Sequence, residues 1–363
     1  TIMDDGTGTL FATTPTGATG VTAATPSTPA LPQTITPATT AVVDPATATV
    51  LNDDRPLTVN NVTVNEGSPY INFTVTAASG QLVKLDLGTT GTGTGYAILG
   101  TDTSNAGTGV PLQYFDGTNW VDYTSGTFVT VPSGSTSLLV RTGIANDTIA
   151  DNNEAFKLTA TNTGGTSAIG TGTIKDDGTG DWFAANNNSG TSALPANTVL
   201  NDDRPLTVNN IDVNEASPYA TFTVTGASGQ LVTLDLGFTT GSGKATQSSD
   251  TSNAGSGVPL QYFNGTSWVD YTPGSSVAIP AGSTTLLVRT GIANDSPAVY
   301  EGPETFTLTA SSGGNTGVTG TATIYDDGTG SIFKYSGNTS STPLTATDTG
   351  YPARDDDRAP TVT

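Results

Sequence analysis

Apolar residues recur at every second position in a series of short runs: LTVNNVTVNE (57–66), YINFTVTA (70–77), QLVKLDLG (81–88), FVTVP (128–132), SLLVRTGI (137–144), AFKLTAT (155–161) and AIGTGTI (168–174). Alternation with a period of two puts apolar side chains on one face of an extended chain and polar ones on the other, so each run predicts a half-buried strand. Turn chemistry separates the runs: Asp116-Gly117 stands between two aromatic stretches and PSGS joins two alternating ones. Some seven to nine short strands with turns between them predict a two-sheet sandwich. Abundant Gly, Pro and Thr and the lack of a helix-prone run agree with an all-β fold.

The series occurs twice. NDDRPLTVNN stands at Asn52–Asn61 and again at Asn201–Asn210, and DDGTG stands at Asp4–Gly8, Asp176–Gly180 and Asp326–Gly330. The repeat length is about 150 residues. The expected organisation is tandem antiparallel β-sandwiches joined by Thr/Pro/Gly-rich connectors. Residues 1–8 read as the last strand of a preceding repeat, 9–51 as a Thr/Pro-rich connector, and 52–178 as the first sandwich. A connector at 179–200, the second sandwich at 201–328, a connector at 329–354 and the start of a following repeat at 355–363 complete the chain. These ends are expected if the piece belongs to a longer array. The connectors open alike, with Phe11, Phe183 and Phe333 in one place, so short ordered strands are expected at their ends and a middle of variable length.

Composition narrows the chemistry. There are 32 acidic against 11 basic residues, a formal charge of −21, which argues against nucleic acid as a partner because a phosphate backbone needs a basic footprint. Histidine and cysteine are absent, which removes Ser–His and Cys–His catalysis, thiolate zinc and disulfides. No apolar run approaches bilayer length, and no basic-apolar leader is visible. Carboxylate oxygens remain, and hard oxygen donors suit Ca²⁺. GTGTGY has the wrong spacing and flanks for a phosphate loop and reads as a turn. Trp120 and Trp268 read as anchors packed on the sandwiches.

The acids gather where strands begin and end. Ile144–Leu158 (IANDTIADNNEAFKL) and Ile292–Leu308 (IANDSPAVYEGPETFTL) each place an acidic loop between two alternating runs. In an up-down succession, Glu66, Asp122, Asp147, Asp151, Glu154, Asp176 and Asp177 fall at one pole of the first sandwich. Glu215, Asp270, Asp295, Glu301, Glu304, Asp326 and Asp327 match them in the second. Crowded like charges raise one another's pKa, and a divalent cation converts that cost into coordination by six to eight oxygens. The other reading of the same acids is a solvated rim.

VNEGSPYINFTVT, VDYTSGTFVTVPSGSTSLLVRT, NDTIADNNEAFKLTAT and GTIKDDG together resemble the Calx-β repeat, an immunoglobulin-like calcium-binding sandwich. EGPETF at Glu301–Phe306 fits its pattern better than the first copy, where Asp151 replaces the leading Glu. The insert Thr89–Gly117 departs from it, and a ligand could be displaced there. The resemblance implies calcium at the pole where one repeat meets the next, and a place in a large bacterial surface protein, extracellular or secreted. A calcium-stiffened structural segment of an adhesin or fibre stalk is the expected function. Its partners would be neighbouring repeats of the same chain. Identical subunits in a filament or surface layer are the alternative, and a calcium-dependent carbohydrate module presenting Tyr114, Tyr262 or Trp182 to a surface glycan is a further one. Catalysis is not expected.

Overall fold

Alternation becomes sheet packing in the computed structural model. It describes Asp5, residues 51–333 apart from 94, 105–108, 152, 185–193, 196–198, 248, 252–256, 296–298 and 314–315, and residues 342–348, 351 and 353–358. All but the last residue of the connector expected at 9–51, with Phe11, lies outside the described residues, as do 359–363 and all of 1–8 except Asp5. Every regular element among the described residues is a strand.

The first sandwich contains β1 (Thr58–Val59), β2 (Val62–Asn65), β3 (Tyr70–Thr76), β4 (Leu82–Thr89), β5 (Gln113–Phe115), β6 (Trp120–Asp122), β7 (Phe128–Thr130), β8 (Ser137–Gly143), β9 (Glu154–Asn162) and β10 (Ser167–Lys175). They form two five-stranded sheets, ordered β1-β3-β8-β5-β6 and β2-β10-β9-β4-β7. All pairings are antiparallel except β2 with β10, which run parallel. The inward residues are those the period selects: Ile71, Phe73 and Val75 from β3 meet Phe156, Leu158 and Ala160 from β9, all fully buried. Phe73 and Phe156 meet edge to face with centroids 5.9 Å apart, a geometry the ring quadrupoles favour.

The second sandwich repeats the first with β11 (Thr207–Val208), β12 (Ile211–Asn214), β13 (Tyr219–Thr225), β14 (Leu231–Gly237), β15 (Gln261–Phe263), β16 (Trp268–Asp270), β17 (Val277–Ala278), β18 (Thr285–Gly291), β19 (Glu304–Ser311) and β20 (Val318–Tyr325). Its sheets are ordered β11-β13-β18-β15-β16 and β12-β20-β19-β14-β17. Trp120 and Trp268 are half-buried, each over a buried arginine: the Arg141 guanidinium lies 4.2 Å from the Trp120 ring and 4.4 Å from Tyr70. Arg289 does the same between Trp268 and Tyr219. Tyr114, Tyr262 and Trp182 are half-buried rather than presented.

The start of each later connector is ordered. Asp181 pairs in parallel with Val64, and Ser331 with Val213. Phe183 and Phe333 join the cores of the first and second sandwich respectively. The chain leaving each sandwich therefore lies along its edge strand β2 or β12, which covers part of an otherwise open edge.

Candidate cation site at the sandwich poles

β2 and β10 end side by side, and the residue after β2 is Glu66. Its N–H donates to the Lys175 carbonyl at 2.7 Å, fixing the carboxylate at the pole. The loop after β8 folds over it, and the Asp147 N–H donates to Glu66 Oε1 at 2.9 Å. The third carboxylate comes from the opening of the second sandwich. The Asp203 N–H donates to the Asp176 carbonyl at 2.8 Å, which places the Asp203 side chain in the same space. One oxygen from each of Glu66, Asp147 and Asp203 lies within 4.8 Å of the others. Glu215, Asp295 and Asp357 form the same triad at the second pole, with the Asp295 N–H donating to Glu215 Oε1 at 3.0 Å.

Burial makes this arrangement unusual. Glu66 is 7% exposed and Asp203 4%. Glu66 Oε2 and both Asp203 carboxylate oxygens are buried with no hydrogen-bond partner. Burying an unpaired anion costs several kcal/mol in effective terms (on the order of 20 by the idealised Born limit) unless the charge is lost or matched. Removal from water, with Asp147, Asp203 and Asp151 nearby, pushes Glu66 up to about 8. Burial likewise raises Asp203, opposed by the adjacent Asn201 and Glu66 side chains and reinforced by Asp147 and Asp202. Glu215 is pushed up to about 7, by burial first and then by Asp295, Asp355 and Asp326.

A second group lies beside each triad. In the second sandwich Asp250, Glu301 and Glu304 each offer an oxygen within 4.8 Å of the others. With Glu215 and Asp326 they line a small cavity at the pole. Asp326 Oδ2 accepts the N–H groups of Glu301 and Gly302 at 2.7 and 3.3 Å, while its Oδ1 is buried and unpartnered. The first sandwich has Asp102, Asp151 and Glu154 in the matching places. Glu154 is pushed up to about 8 by burial and then by Asp102, Asp151 and Asp147. Burial raises Asp151 and Asp176 too.

Four residues expected at the pole are not in these groups. Asp122 lies on the sheet-edge strand β6, paired with Gln113, whose Nε2 donates to its Oδ1 at 2.7 Å. Asp270 is held in the same way by Gln261. The strand starting near Phe128 runs beside Leu82–Lys84 rather than at the acidic end, so proximity in sequence did not carry Asp122 to the pole. Asp177 and Asp327 are occupied by their own turns, each accepting the N–H and hydroxyl of Thr179 or Thr329. Burial opposes ionisation of Asp177, but Thr179 and Lys175 outweigh it and hold its carboxyl below the usual value.

Sequence reasoning missed Asp203 and Asp357 because it gave them to the following repeat. The recurrent NDDR at Asn52 and Asn201, and DDDR at Asp355, was the available signal. It also missed Asp102 and Asp250. The insert suspected of displacing a ligand instead supplies one: Asp102 is fixed by Ile98 N–H to its Oδ2 at 2.6 Å and by its carbonyl accepting Ala145 N–H at 2.9 Å.

The donor set is made of carboxylates, with peptide carbonyls nearby and neither imidazole nor thiolate in the chain. Hard oxygen donors in irregular number fit Ca²⁺ better than zinc or copper.

No family model matches the chain, and no curated protein does. Among solved structures, it is similar to the calcium binding domain CBD12 of CALX1.1, at 12% identity and a TM-score of 0.27, over 70% of this chain and 80% of that one. The D00-D0 domain of Intimin is similar at 11% identity and 0.28, over 75% and 100%. A tetra-tandem repeat in the extending region of a large adhesion protein is similar at 13% and 0.21, over 76% and 50%. At these values no property passes from those proteins to this one.

Proposed function

We propose that this chain is a structural segment of an extracellular surface protein, stiffened by Ca²⁺ bound where one sandwich meets the next. One observation carries the reading: Glu66 and Asp203, contributed from the two sides of the joint, bury carboxylate oxygens with no partner in the same small space. Two carboxylates that close repel strongly at low dielectric once both are ionised. A divalent cation turns the repulsion into attraction at the joint, so the folded joint is more stable when the ion is present. Asp147 adds an oxygen at the surface, where an entering ion first arrives. Millimolar extracellular calcium is sufficient for sites of modest affinity, and ligand binding to the folded state raises stability by mass action.

The test is a thermal melt in chelator, in millimolar calcium and in millimolar magnesium. A calcium-specific rise supports the reading. Coincident melts in all three would leave two sandwiches with solvated acidic rims and overturn it.

A further inference from the structure

The two ends of each connector meet. Asp177 and Asp202 face each other as an antiparallel pair. Around them Gly178 N–H donates to the Asn201 carbonyl and Asp203 N–H to the Asp176 carbonyl, both at 2.8 Å. The next joint repeats this with Asp327 facing Asp356, Gly328 N–H on the Asp355 carbonyl at 2.7 Å and Asp357 N–H on the Asp326 carbonyl at 2.8 Å. At the first joint Asp5 faces Asp53 in the same antiparallel sense.

Side chains lock both halves. Asn65, at the end of β2, accepts Asn201 N–H at 2.9 Å and donates to the Asn201 carbonyl at 3.0 Å. Asn214 does the same to Asp355 at 2.8 and 3.1 Å. On the other side, Asp202 is gripped by Arg204 through Nε at 2.9 Å and Nη2 at 2.6 Å, and its carbonyl accepts the Ser312 hydroxyl at 2.9 Å. Arg204 also donates to the Asp177 carbonyl at 2.9 Å. Gly178 and Gly328 have φ of +78° and +77°, and a Cβ on either would stand 3.0 or 3.2 Å from the facing aspartate. The DDG turn is therefore fitted to the NDDR segment.

We infer that this clasp alone sets the spacing of successive sandwiches, and that the connectors are loops hung from it rather than spacers. Chain passing from Gly178 to Asn201 starts and finishes at hydrogen-bonding distance, so its length adds nothing to the separation of the sandwiches. The three connectors differ in length, as the paired positions Asp5–Asp53, Asp177–Asp202 and Asp327–Asp356 show, yet close on the same pairing. Loop-closure entropy grows only logarithmically with length, so such loops tolerate growth. Connector length can thus change without altering the spacing of the sandwiches. The clasp uses backbone, amide and guanidinium groups and does not depend on the cation reading.

The chain lacks cysteine, so spin labels at Thr118→Cys and Thr266→Cys, both exposed hairpin positions, report the distance between sandwiches. Three variants of the labelled full chain replace residues 185–199 with a short Gly/Ser segment, with a much longer one, or with residues 334–350 of the next connector, which the chain already carries. The expected result, in chelator and in calcium taken separately, is a distance distribution whose centre does not change with connector length. A distance that follows connector length in either condition overturns the clasp. Constant distance without a calcium-dependent melt would leave the clasp standing and remove the cation reading. A calcium-dependent melt with length-dependent distance would do the reverse.

Discussion

Asn65 and Asn201 stand at opposite sides of the joint and exchange two hydrogen bonds, through Asn201 N–H to Asn65 Oδ1 and Asn65 Nδ2 to the Asn201 carbonyl. The Asn65 amide also donates to the Thr179 carbonyl at 2.9 Å, and its oxygen accepts Gly67 N–H at 3.0 Å. The same residue thus ends a strand, shapes the following turn and seats the next sandwich. Asn65→Ala would leave several buried peptide groups unpaired. Each costs about 1–3 kcal/mol when a buried group loses its partner. A drop of that order in chemical denaturation is expected, and Asn214→Ala should match it at the second joint.

Asp203 separates the cation reading from ordinary stability. In chelator Asp203→Asn removes a buried negative charge and should raise the melting temperature. In calcium it should remove most of the calcium-dependent rise. Asp147→Asn and Asp295→Asn should also weaken the calcium response. Asp122→Asn, on the sheet edge with Gln113, should leave it intact. Equal calcium responses in the Asp203 and Asp122 variants would contradict the assignment.

The acidic poles fix a direction of pH dependence. Glu66 and Glu154 stand at about 8 in the folded chain, and Glu215 and Glu304 at about 7, each raised from 4.5 chiefly by burial. A carboxyl raised on folding binds more protons folded than unfolded, so its contribution is fully present below the unfolded value. It is lost as pH rises through the folded value. Without calcium, stability should fall between about pH 4.5 and pH 8. Each of these groups contributes at most about 1.4 kcal/mol per pH unit, and water at these part-open poles lowers it. Calcium favours the ionised forms and should flatten the trend. Melts across pH in chelator, repeated with Glu66→Gln, read both effects.

The core makes a prediction independent of any ion. Phe156 is fully buried and meets Phe73 edge to face. Phe156→Ala should cost about 3–5 kcal/mol, the range for deleting a large buried ring, with and without calcium alike. A loss seen only in chelator would mean that the pole, not the core, holds this sandwich together.

The strands were legible because alternation is local. YINFTVT declares Ile71, Phe73 and Val75 as one face whatever its neighbours, and the structure buries those three. The doubled series, the all-β class and the presence of acids between β8 and β9 followed in the same way from residues close in sequence. Short strands were expected at the connector starts; the structure has a single bridging residue at each, Asp181 and Ser331, with Phe183 and Phe333 in the cores.

What the sequence could not decide is which chain ends share a pole. Asp122 and Asp203 are both acids beside strand-like runs, and nothing local tells them apart. Strand pairing puts the first on an edge opposite Gln113. An antiparallel return across the joint puts the second beside Glu66. Asp102 reaches the pole through an insert whose own residues show no period. The sequence by itself determined the faces of strands, because side-chain direction follows from the extended backbone. The tertiary structure decided the membership of the site, because that depends on where distant turns meet once two sheets have packed.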